Sequence, residues 1–142
     1  FTLLELMVVF AIMALIVGVV PLAFDRMREA AQYRNTVRTM MSDMRVARQQ
    51  ALSGRGETRF TVNLQHKSYG INGGTVRDLP EAVRVRVTVA GSEMNSGAAS
   101  IRFLSDGGAT GGSVDVLRGD SAGVRLRVDW LSGRVTQEPL SP

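Results

Sequence analysis

The chain has 142 residues, 44% of them hydrophobic, a formal net charge of +4 and no cysteine. That length allows one ordinary domain with a real core, while the missing cysteines exclude disulfides and thiolate metal sites. Of the 17 basic residues all but Lys67 are arginines, spread from Arg26 to Arg134 rather than gathered in one run, which argues against a dedicated polyanion surface.

Residues 6–24 contain no charged or polar side chain. As a helix this stretch is roughly 28 Å long, close to the ~30 Å hydrocarbon layer of a bilayer. Glu5 stands just ahead of it, and a carboxylate on an apolar helix is costly unless paired, hydrated or near the interface. The ammonium at Phe1, about one helical turn away, is a conceivable partner within the chain. Pro21 removes a helical donor and crowds the carbonyl of Val17, so Gly18 and Pro21 mark a kink.

From Asp25 the pattern turns amphipathic. Ala30, Tyr33, Val37, Met40, Met44, Ala47 and Ala51 recur at steps of three and four, with Arg26, Arg34, Arg38, Arg45 and Arg48 on the other side. Gly54, in "SGRG", stops the helix. The chain therefore reads as an apolar helical segment at 1–24, an amphipathic half of the same helix at 25–55, and a β domain at 56–142.

Past Gly56 the period drops to two. Phe60, Val62 and Leu64 alternate with polar neighbours, and "VRVRVTV" at 83–89 places valines inward and Arg84 and Arg86 outward. "YGI", "SIRF", "VDVLR", "VRLRVDW" and "RVT" complete about seven short strands, separated by turns such as "QHKS" and "NGG" and by the glycine-rich run at 105–113. The expected fold class is α+β, with one long N-terminal helix laid on an antiparallel sheet or small sandwich.

The opening "FTLLELMVV", its apolar continuation, the proline at 21 and the long helix running into a β domain resemble the type IV pilin and pseudopilin superfamily. "IRFLSDGGATGGSVDVL" and the late "LSGRV" resemble the H-type minor pseudopilins of type II secretion and the related FimT-like minor pilins. In those proteins a strand ends in an F-x-x-D/N-G segment, a glycine-rich loop follows, and a late strand comes after a "GR" turn. Phe103, Asp106, Gly107, Gly133 and Arg134 occupy these places. The resemblance implies, as the alternative to a simple kink at Gly18 and Pro21, that the stretch around Ala14 to Pro21 unwinds on leaving the bilayer. Members commonly carry the proline one position later and a glycine near position 14, where this chain has Ala14.

The resemblance implies a structural, non-enzymatic subunit. A prepilin peptidase would remove a short basic leader before Phe1 and methylate the new amino group to N-methylphenylalanine. Glu5 would pair with the Phe1 ammonium of an adjacent subunit and set axial register. Residues 1–24 would lie in inner-membrane lipid before assembly and in a filament core afterwards, with the β domain in the periplasm or on the filament exterior. Partners would be other pilin or pseudopilin subunits and an inner-membrane assembly platform. The filament expected is the pseudopilus of a type II secretion system, since classical type IVa pilins close a C-terminal disulfide loop that a chain without cysteine lacks. The alternatives are a FimT-like minor pilin with a DNA-binding or uptake role, or the main subunit of a pilus-like filament.

No catalytic constellation emerges. The single histidine, His66, falls in a turn, and "GGATGGS" lacks the lysine ending of a phosphate-binding loop. No cofactor motif is present. Asp106, Asp115, Asp120 and Asp129 are weak calcium candidates, because their spacing matches no loop motif. A nucleic-acid surface would rest on Arg84, Arg86, Arg125, Arg127 and Arg134. Asp115 and Asp129 interleave with these arginines, no aromatic run accompanies them, and the tail after the "GR" turn carries Glu138, so nucleic acid is the less favoured partner.

Overall fold

The computed structural model describes residues 1–119 and 122–140, without the Arg55 side chain. Two compact units divide the chain, Phe1–Ala31 and Gln32–Pro142. One helix, α1 (Leu3–Gln50), contributes residues to both and has 48 residues.

In the first unit every residue through Glu29 is exposed. The apolar stretch has a mean hydropathy of 2.9 and is long and apolar enough to cross a membrane. Helix is continuous across Gly18 and Pro21. A Cβ added at Gly18 would meet nothing within 4 Å, so this glycine is not required by packing inside the chain.

In the second unit α1 buries Val37, Met40, Met44 and Ala47, the stripe expected from the periodicity, and Ala51 continues it. Thr36 and Asp43 are buried on the same helix. A single π-helical turn (Ala51–Arg55) ends it, with Gly54 at φ 86, a conformation open to glycine at little cost.

Among the described residues nine strands follow rather than about seven: β1 (Thr58–Asn63), β2 (Ser68–Ile71), β3 (Val76–Asp78), β4 (Val83–Thr88), β5 (Met94–Asn95), β6 (Ala98–Phe103), β7 (Gly112–Arg118), β8 (Ala122–Val128) and β9 (Val135–Leu140). β3 and β5, of three and two residues, are too short to show an alternation and exist by pairing with longer neighbours. β9 runs past Thr136 to Leu140, because β8 pairs with it from Val135 to Leu140. All pairings are antiparallel, in a five-stranded sheet ordered β3-β2-β1-β6-β5 and a four-stranded sheet ordered β4-β7-β8-β9. Phe60, Val62, Ile101 and Phe103 from the first sheet and Val114, Val116 and Leu126 from the second join the buried helical residues in one core. This is the expected α+β class.

Candidate assembly site

Thr2 caps the first turn of α1. Its amide donates to Glu5 Oε2 at 3.1 Å, and the Glu5 amide donates to Thr2 Oγ1 at 3.2 Å. The reciprocal pair is a capping box, which satisfies amide donors that helix geometry leaves without partners. Its signature, Thr-x-x-Glu ahead of an apolar run, is readable in the sequence but was overshadowed by the charge of Glu5. Among the described residues no ion pair joins Glu5 to Phe1, so the intrachain pairing is not made. The carboxylate is instead turned onto its own helix start.

The residues that carry the second resemblance meet around one turn. Gly133 has φ 65, and a Cβ there would collide with Gly107 O and lie 3.2 Å from Arg48 Nε. Arg48, expected on the polar side of α1, instead reaches Ser132 O at 3.1 Å, because the β8–β9 turn lies beside that face. Phe103 is wholly buried. Asp106 Oδ1 accepts from the Gly108 amide at 2.9 Å, and the Ala109 amide donates to Trp130 O at 2.9 Å. In the turn itself Asp129 Oδ2 accepts from the Ser132 hydroxyl at 2.7 Å and from the Ser132 amide at 3.0 Å. These bonds, the hydroxyl first, hold the Asp129 carboxyl below the usual carboxylate range. The F-x-x-D-G segment, the "GR" turn and the end of the amphipathic helix thus form one joint.

The candidate arginines share the outer face of the four-stranded sheet in part. Register sets Arg86 opposite Asp115, Asp115 opposite Arg125, and Arg125 opposite Glu138. Arg125 binds both oxygens of buried Asp115, at 2.7 and 3.1 Å, and that hydrogen-bonded pairing raises the Arg125 pKa. Arg127 lies 3.4 Å from Glu138. Arg84 is exposed on the same face, while Arg134 is exposed beyond the turn. Arg125 and Arg127, both offered to nucleic acid, are therefore engaged by carboxylates of the sheet itself.

Among the described residues the calcium candidates Asp106, Asp115 and Asp129 each serve a local partner. Asp106 serves its own turn, Asp115 serves Arg125, and Asp120 lies outside the described residues. Among the described residues no group of three metal-ligating side chains occurs. Two polar ties escaped the sequence reading. Asp43 on α1 meets Arg77 of β3 at 3.3 Å, and Arg102 bridges Glu57 at 3.2 Å and Glu93 at 2.9 Å. Asp43 and Glu93 are nearly buried, a pairing that alternation alone does not reveal.

A family model described as "Type II transport protein GspH" matches residues 36–133. A type II secretion system protein H from Xanthomonas campestris pv. campestris is 32% identical over 142 residues, covering 98% of this chain and 82% of that protein. A solved structure, that of the minor pseudopilin EpsH from the type 2 secretion system of Vibrio cholerae, aligns with a TM-score of 0.57 at 10% identity, over 78% of this chain and 98% of that one. At that identity the likeness is one of fold.

Proposed function

This chain belongs to the type II transport protein GspH family, and from that membership we propose that it is a minor pseudopilin, a structural subunit of a type II secretion pseudopilus. Residues 1–24 hold it in the inner membrane with the β domain in the periplasm, and the same apolar surface later packs against other pseudopilins. The observation that carries this reading is the helix of the first unit, apolar over residues 6–24 and exposed throughout. An apolar surface of that extent needs lipid or protein around it. Phe1 is the proposed site of peptidase processing and methylation, and Gly18 and Pro21 are the proposed place where the helix gives way in the filament. The comparisons favour secretion over the FimT-like alternative.

Glu5 has two separable duties in this reading, the cap seen in the structure and a charge pair with the Phe1 ammonium of a neighbouring subunit. Glu5→Gln keeps an acceptor for the capping box but removes the charge, whereas Glu5→Ala removes both. In a strain lacking the native subunit, both variants should insert in the membrane yet fail to restore exoprotein export and filament cross-linking. Full export by Glu5→Gln would reduce Glu5 to its capping role. Mass spectrometry of the N-terminal peptide, which should show N-methyl-Phe1, tests the processing step separately.

A further inference from the structure

An edge strand with unpaired backbone groups is a template for another strand. The two sheets end in β3, β5, β4 and β9. β3 and β5 have three and two residues, and β9 carries Pro139, which has no amide donor. β4 differs from all three. It has six residues and no proline, and it pairs with β7 alone. The Val83 amide donates to Pro80 O, and among the described residues the backbone of residues 85–88 has no backbone partner outside that ladder.

Its side chains say what the missing strand should carry. On the inner face Val85 and Val87 are only half-buried against the core, so an added strand would cover apolar flanks. On the outer face Glu138, Arg125, Asp115 and Arg86 form one cross-strand row of alternating sign from β9 to β4. Arg125 occupies both oxygens of Asp115, so Arg86 ends the row exposed and without an ion pair among the described residues. Antiparallel pairing of β4 with a second copy of itself would set these arginines against one another, and like charges directly opposite are destabilising.

We propose that β4 accepts an extended segment of a different protein, one that places an acidic side chain opposite Arg86 and alternates it with apolar residues. Main-chain hydrogen bonds would supply affinity and the alternating side chains specificity. The inference rests on the β4 edge and not on the secretion role.

Binding is measured by fluorescence anisotropy with the full chain in detergent micelles and labelled short peptides. One alternates valine with glutamate, a second replaces glutamate with lysine, and a third is the glutamate peptide with alternate amides N-methylated. The glutamate peptide should bind saturably, and the lysine peptide about tenfold more weakly or not at all. N-methylation should abolish binding, and Arg86→Glu should reverse the preference between glutamate and lysine. The proposal is overturned by absence of saturable binding or by equal binding of the N-methylated peptide, which would reduce the contact to charge attraction. A preference unchanged in Arg86→Glu, or a β4-to-β4 cross-link between two copies, overturns it as well.

Discussion

Two stretches of α1 have the same secondary structure and opposite fates. Residues 6–24 are uniformly apolar and exposed, whereas residues 36–51 mix charged and apolar side chains yet contribute Met40, Met44, Ala47 and Ala51 to the core. Hydrophobicity thus ranks the two in the wrong order for burial within the chain. The period separates them: a stripe recurring every three or four residues has one side to hide against a sheet, while an all-round apolar helix has no side that the chain alone can satisfy. The first stretch is built for surroundings supplied from outside, and the second for contacts the chain makes itself.

The contrast breaks most visibly under truncation of one side chain in each stretch. Met44 is 0% exposed, so Met44→Ala should lower the stability of the second unit by about 2–5 kcal/mol through lost contacts and a residual cavity. Leu15→Ala, in the exposed stretch, should leave that unit within about 0.5 kcal/mol of the native value. Chemical denaturation of both variants in the same detergent compares them directly. A comparable loss from Leu15→Ala would mean that the two stretches are not energetically separate.

Much of this architecture was legible because it is periodic. The stripe from Val37 to Ala51, the helix stop at Gly54 and the inward valines of β4 each repeat a local rule often enough to stand out. The features that were not legible depend on long-range pairing. Asp43 is one residue in a helical stripe until β3 brings Arg77 to it, and β3 itself has no pattern beyond three exposed residues. Arg48 sits in sequence among solvent-facing arginines, and only the fold of the β8–β9 turn gives it Ser132 O. At the candidate site the Thr2–Glu5 box was written in plain spacing but competed with a charge reading of the same residue.

The joint at the end of the buried stretch sharpens the comparison further. Gly133→Ala adds a Cβ that meets Gly107 O and crowds Arg48, at a φ of 65. The strain should cost about 1–3 kcal/mol, less than the Met44 cavity because a turn can shift where a core cannot. Hydrogen exchange should rise first in the β8–β9 turn and at the C-terminal end of α1, while amides of residues 6–24 remain as they were. Faster exchange spread evenly along α1 would refute the placement of the strain at the joint.

The smallest effect expected is one of pH, and it falls on the same turn. Asp129 is held below the ordinary carboxylate range by the Ser132 hydroxyl and amide. A carboxylate with a depressed native pKa contributes stability that is complete above its unfolded pKa and is lost as pH falls through the lower, native one. The turn it holds also supplies Ser132 O to Arg48, so protonation should loosen the anchorage of the buried stretch and leave the apolar one unaffected. Asn at this position still accepts the Ser132 bonds but cannot titrate. Asp129→Asn should therefore be slightly less stable than the native chain near neutrality, and the difference should shrink as the solution is acidified below the ordinary carboxylate pKa. A gap between the two proteins that stays constant across that acid range would show that the Asp129 charge adds nothing to the turn, leaving Gly133 and Arg48 to hold the end of α1.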